Sequence, residues 1–147
     1  MTLSELTLVA TFEAGGFPEP MAESMAAIAM RESGGDPSKH NLNPSTGDDS
    51  YGLVQINWAD SDVKEYLQGK GITDPNVLLD PATNAKMAFE LWRWKYSYMD
   101  LLWYTQRTGV DRQIYEMNLL AVHDAVLKAL TPPSRSPVLS PPAGATT

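Results

Sequence analysis

The chain contains no cysteine, so neither a disulfide framework nor a thiolate metal site is open to it. Histidine is nearly as scarce. His40 and His123 are the only two, and they stand too far apart in sequence to form a recognisable metal-binding spacing. Basic residues are outnumbered, with 11 Lys and Arg against 18 Asp and Glu for a net charge of −7, and they form no run. Nucleic acids and anionic membrane surfaces call for a basic face, so both are excluded as partners. No apolar stretch approaches the length of a membrane span. The opening "MTLSELTLVATFEAGG" lacks a basic n-region and carries Glu5 and Glu13 inside its apolar run, so it does not read as a signal peptide. A substrate outside a cell would have to be reached by another route.

What is present fits an ordinary globular protein. The 147 residues are 43% apolar and 20% charged, enough for one domain that buries about two-thirds of its unfolded surface. Leu3 to Phe12 reads as a short helix ended by Gly15-Gly16. A second helix follows Pro18, with Pro20 still in the tolerated first turn. It carries Met21, Met25, Ile28 and Glu32 on one face, then stops at Gly34-Gly35 and Asp36-Pro37. Asp36 to Ser50 is nearly all Asn, Pro, Ser, Gly, Asp and Thr, which is loop chemistry. "YGLVQINW" is a short strand or an extended segment.

Asp74-Pro75 and Asp80-Pro81 each match a helix N-cap followed by proline. From Ala82 a helix sets Ala85, Ala88, Phe89, Trp92, Tyr96 and Met99 on one stripe and Leu91, Trp94, Tyr98 and Leu101 on another, the pattern of a central helix. Asp111 to Leu130 is a last helix, with Ile114, Met117, Ala121 and Ala125 on one side and Leu120 and Leu127 on another. The domain is placed at residues 1–130. Residues 131–147, with five prolines and no aromatic residue, form a tail or linker with little to bury.

Glu32 extends an apolar helix face. Desolvation there, together with the negative end of the helix dipole, would favour the protonated acid, and a carboxylic acid kept protonated near neutrality can donate to a leaving oxygen. Against this, most glutamates near helix C-termini are simply solvated, and periodicity alone favours that plainer reading.

The residues that follow shift the balance. "RESGG", then "YGLVQIN", then "DPATNAKMA" resemble the lysozyme-like transglycosylases: the soluble lytic transglycosylases and the related goose-type lysozymes, which cut peptidoglycan glycan strands. Glu32-Ser33-Gly34 is similar to the family's catalytic Glu-Ser signature. Gly52-Leu53-Val54-Gln55 is similar to its Gly-Leu-Met-Gln segment, with Val54 in place of methionine. Asn84 and Ala88 stand where the family has an Asn-x-x-x-Ala helix. The resemblance covers roughly residues 22–88 and weakens beyond. The family's late Tyr-Asn-Ala-Gly motif has only "WYTQRTG" as a counterpart, where Trp103 and Gly109 fit and Tyr104, Gln106 and Tyr98 compete for the tyrosine's role.

The resemblance implies a mainly α, lysozyme-like fold with a minimal β element around residues 51–57. It makes Glu32 the catalytic acid, with Ser33, Tyr51, Gln55, Asn57 and Tyr104 as substrate contacts. Plainer readings stand beside several of these residues. Gln55 alone could be a strand-edge amide, and Tyr51, Trp58 and Trp103 have spacings more common in cores. Asp48 and Asp49 are explained by turn propensity, yet either could serve as a second carboxylate that activates water. His40 reads as a solvated loop residue, His123 sits between helix stripes, and the acidic cluster Asp60–Glu65 reads as a solvated face.

The implied reaction is cleavage of the N-acetylmuramic acid–N-acetylglucosamine bond to a 1,6-anhydro product, with no cofactor. A hydrolytic muramidase is the alternative. A non-catalytic virion or wall-binding protein is the rival of another class, weakened by the intact Glu32 and Gln55. The spelling "GDDSYGLVQIN" resembles domains of phage tail and lysis proteins. That implies a location in a virion, or in the host cytoplasm before release, with virion or tail components as partners through the C-terminal tail.

Overall fold

The computed structural model describes residues 1–95 and 109–130. The expectations for Tyr96, Tyr98, Met99, Leu101, Trp103, Tyr104, Gln106 and the tail 131–147 lie outside the described residues. Helix α1 (Glu5–Gly15) begins at Ser4, whose hydroxyl accepts the Thr7 amide as an N-cap. Helix α2 (Glu19–Ser33) begins after Pro18, with Pro20 in its first turn. Its face of Met21, Met25, Ile28 and Glu32 forms as expected, but burial extends well around the helix. Ala22, Ala26, Ala27 and Ala29 are also in the core, and their small side chains let neighbouring helices approach closely.

Strands β1 (His40–Asn43), β2 (Asp48–Tyr51) and β3 (Ile56–Asn57) form one antiparallel sheet in that order, with His40 opposite Tyr51 and Ser50 opposite Asn57. This corrects two expectations. The stretch 36–50 is not all loop, and the β element starts at His40 rather than near 51. The first hairpin carries only Leu42 and Tyr51 as apolar residues, one on each strand, so no apolar alternation marked it. Its bend is set by local bonds, with Asn43 Oδ1 accepting the amide and hydroxyl of Ser45 at 3.2 and 2.7 Å.

Helix α3 (Ser61–Gly69) was not anticipated. Asp60 caps it by accepting the amides of Asp62 and Val63, and Val63 and Leu67, four apart, reach the core. The remainder of the acidic cluster, Asp62 and Glu65, is exposed, as expected. Both Asp-Pro pairs act as caps. Asp74 starts a short 3-10 helix (Pro75–Leu79), and Asp80 starts helix α4 (Pro81–Trp94). Helix α4 buries Asn84, Ala85, Met87, Ala88 and Leu91. Its described span ends at Trp94, with Lys95 as the C-cap.

Helix α5 (Gly109–Leu130) packs mainly on α2, while α4 packs on α1. Its inward face is also a correction. Tyr115 and Val122 are buried, with Asn118, Leu119 and Val126 half-buried beside them. Of the residues expected to face inward, Ile114 and Ala125 are half-buried and Met117, Leu120, Ala121 and Leu127 are exposed. Apolar residues occur all round this helix, so periodicity could not choose the face. Polar anchors fix it instead. Asn118 Nδ2 donates to the Ala27 carbonyl at 3.4 Å, and His123 Nδ1 lies 2.7 Å from the Glu23 carboxylate, a side chain in the core of α2. His123, expected merely between stripes, is thus tied across the helix interface.

Candidate active site

Glu32 occupies the last turn of α2. The helix is stopped by Gly34, in the left-handed conformation at φ 66°, and by Gly35 at φ 78°, whose amide returns to the Ala29 carbonyl at 3.2 Å. Ser33 is buried, and its hydroxyl also donates to Ala29 O at 2.9 Å. Glu32 itself is half-buried, between the desolvated acid that its apolar face allowed and the solvated glutamate that periodicity alone favoured, because the helix end lies at the surface. Cations help to hold this end. Arg31 pairs with Asp111 of α5 at 3.0 Å, and Lys39 Nζ donates to the Glu32 carbonyl at 3.0 Å.

Gln55 sits on the turn between β2 and β3. It is the one non-glycine among the described residues with positive φ, at 54°. That conformation is unfavourable for a residue with a Cβ. Its side chain compensates, with Nε2 donating to the carbonyls of Gly52 at 2.9 Å and Lys39 at 3.1 Å. The Gly52 amide donates to the same Lys39 carbonyl at 2.8 Å. Leu53 and Val54, inside the turn, are buried and seat it on the core.

Asn84 reaches this turn from α4. Fully buried, it donates from Nδ2 to the carbonyls of Tyr51 at 2.9 Å and Leu78 at 3.0 Å, and its Oδ1 accepts the Val54 amide at 3.2 Å. A Cβ at Gly52, at φ 78°, would collide with the Leu78 carbonyl and with the Asn84 amide. Glycine is required there because the clamp closes directly over its backbone. The asparagine of the "DPATNAKMA" stretch therefore shapes the turn that presents Gln55.

The remaining candidates lie on the sheet. Tyr51 is buried and its ring stacks on His40, centroids 4.1 Å apart. Burial pushes its phenol above the ordinary tyrosine range, and the neighbouring Asp49 carboxylate adds to the effect. Asp49 Oδ1 stands 2.6 Å from His40 Nε2. His40 is therefore paired rather than simply solvated. Asp48, near the hairpin tip, accepts from the Thr46 hydroxyl at 2.8 Å. Asn57 accepts the amides of Asp49 and Ala59, each at 3.0 Å, and donates to the Gly47 carbonyl at 3.2 Å. Its side chain is engaged in holding the hairpin. Trp58 is buried, in keeping with the core reading of that residue.

The structure thus brings Glu32 and Gln55 to one locality through Lys39 and places Tyr51, Asp49 and Asn57 in the adjoining sheet. Lys39 and the His40–Asp49 pair were missed in the sequence. Their partners lie across a chain reversal, and the only local signal was that Lys39 is the single Lys or Arg between Arg31 and Lys64. Among the described residues, no group of three or more His, Cys, Asp and Glu side chains could hold a metal ion, and no helix is long and apolar enough to cross a membrane.

Residues 9–95, more than half of the chain, match the family described as lysozyme-like domain. The match runs from α1 to the end of α4 and so takes in Glu32, the sheet, the Gly52–Gln55 turn and Asn84. Searches of curated proteins and of solved structures returned no match.

Proposed function

The chain belongs to the lysozyme-like domain family, whose members act on peptidoglycan, and on that premise we propose that it cuts the β-1,4 bond between N-acetylmuramic acid and N-acetylglucosamine with Glu32 as catalytic acid. The observation that supports this most directly is the junction at Lys39, which ties the Glu32 end of α2 to the Gly52–Gln55 turn. Glu32 protonates the glycosidic oxygen as the bond to the muramic acid anomeric carbon breaks. The resulting carboxylate then takes the proton of the 6-hydroxyl, whose oxygen closes the 1,6-anhydro ring. Glu32 ends in its starting form and no water is consumed. Ser33, Tyr51, Gln55 and Asn57 are the proposed substrate contacts, and the family's late tyrosine role falls to Tyr104, in competition with Gln106 and Tyr98.

The hydrolytic reading needs a second carboxylate to activate water. Both candidates are half-buried, but the Asp49 carboxylate is engaged by His40 and that of Asp48 by Thr46. Both bonds favour the one-carboxylate route. The proposed setting, a virion or lysis protein of a phage, rests on the spelling of residues 47–57. The test is mass spectrometry of purified cell walls digested by the wild type and by Glu32→Gln. We expect 1,6-anhydromuropeptides from the wild type and a loss of at least about a hundredfold in the variant. Wall cleavage retained by a folded Glu32→Gln protein overturns the assignment. Walls left intact by the wild type would favour a binding protein that keeps the fold.

A further inference from the structure

We propose that Lys39 is a positioning residue for the reaction, holding the catalytic helix end and the Gln55 turn in one geometry from the two ends of a single residue. The inference rests on the reading of Glu32 as the acid. At one end of Lys39, the ammonium donates to the Glu32 backbone carbonyl at 3.0 Å. At the other end, its own carbonyl accepts from Gln55 Nε2 at 3.1 Å and from the Gly52 amide at 2.8 Å. Between them the chain turns from the left-handed Gly34-Gly35 stop into β1.

The Lys39 bond is unlike an ordinary surface lysine contact. Carbonyls in the last turn of an α-helix have no intrahelical partner, and a cation there also meets the negative end of the helix dipole. Lys39 is the only Lys or Arg in the 32-residue span from Glu32 to Val63. The turn it reaches is under strain, with Gln55 held at φ 54° by bonds to Lys39 and Gly52. The side chain of Lys39 is exposed, so its contribution to overall stability is small. Its effect falls on the relative placement of Glu32 and Gln55, where a misplacement of about 1 Å can cost about a hundredfold in rate.

The experiment compares the wild type, Lys39→Met, Lys39→Arg, Glu32→Gln and, as a surface control on α4, Lys86→Met. Kinetics on soluble glycan strands are measured alongside amide hydrogen exchange at Gly35 and Gln55. Methionine keeps the length of the side chain and removes its donor, whereas arginine keeps both cation and donor. For Lys39→Met we expect kcat to fall about tenfold with KM within about twofold and the thermal midpoint nearly unchanged. Exchange at Gly35 and Gln55 should quicken about tenfold. Lys39→Arg should restore most of both, and Lys86→Met should match the wild type. The proposal is overturned if Lys39→Met keeps the wild-type kcat, if exchange at both amides is unchanged, or if arginine restores neither. If instead Glu32→Gln proves as active as the wild type, the catalytic reading fails. The exchange data and arginine rescue then decide the Lys39 junction alone.

Discussion

His40 Nε2 stands 2.6 Å from Asp49 Oδ1 across the β1–β2 hairpin, and the same imidazole stacks on Tyr51 with ring centroids 4.1 Å apart. The pair gives Asp49 a structural use. A carboxylate held by a histidine is oriented by that bond and is less available to draw a proton from water. Asp48→Asn and Asp49→Asn should therefore each keep at least about a third of the wild-type rate, with 1,6-anhydromuropeptides still dominant. Losing a water-activating base would cost about a hundredfold or more. Wall digests of the two variants, analysed by mass spectrometry, separate the outcomes. A dead Asp49→Asn variant beside a wild-type digest rich in reducing-end muramic acid would falsify the anhydro-forming route.

Much of this arrangement was legible in the sequence where the causes are local. The spacing of Met21, Met25, Ile28 and Glu32 gave the α2 face, and Asp74-Pro75 and Asp80-Pro81 gave two caps, because each depends on residues within one or two turns. The β1–β2 hairpin was hidden because each strand carries a single apolar residue, Leu42 and Tyr51, too few to show alternation. Helix α3 was hidden because Val63, Tyr66 and Leu67 are a short apolar set in a charged stretch. The inward face of α5 depended on the Glu23–His123 bond, a partner 100 positions away. Asn84 was visible as a motif residue, but its clamp on Tyr51, Leu78 and Val54 could be seen only once the chain had folded.

That clamp sets a stability prediction. Asn84→Ala removes two donors and one acceptor from a fully buried position and strands the carbonyls of Tyr51 and Leu78 and the Val54 amide. The loss should be about 3–5 kcal/mol. At about 3 °C per kcal/mol for a domain of this size, the thermal midpoint should drop by about 9–15 °C. A calorimetric midpoint within about 3 °C of the wild type would mean that water replaces the amide and the turn does not depend on it.

Glu19 offers a pH-dependent test. Its carboxyl is held above the ordinary glutamate value, first by desolvation and then by the like charges of Glu23 and Glu13. An acid whose folded value is raised favours folding while it is protonated and loses that contribution as pH rises through the folded value. Ionised Glu19 therefore works against the fold at neutral pH. Glu19→Gln should melt above the wild type at pH 7, and the gap should close as pH falls below the carboxylate range, to about pH 3. Thermal melts at the two pH values check the sign. A variant that melts below the wild type at pH 7 would show that ionised Glu19 stabilises the start of α2, whose first turn it occupies.

Asn57 gives the sharpest test of how the hairpin relates to the reaction. An aspartate at position 57 would offer a carboxylate where the chain has an amide, yet it should not make the reaction hydrolytic. The Asn57 side chain accepts the amides of Asp49 and Ala59 and donates to the Gly47 carbonyl at 3.2 Å. An aspartate keeps the two acceptor bonds but turns an oxygen toward the Gly47 carbonyl, replacing a bond with repulsion. Asn57→Asp should therefore lose about 1–2 kcal/mol, a fall of about 3–6 °C in thermal midpoint. With its side chain committed to the hairpin, the new carboxylate stays out of reach of a water at the scissile bond, and the digest should remain rich in anhydro product. A variant that keeps the wild-type midpoint and shifts the digest to reducing-end muramic acid would mean that residue 57 faces the substrate, and that asparagine at this one position selects the transglycosylase route.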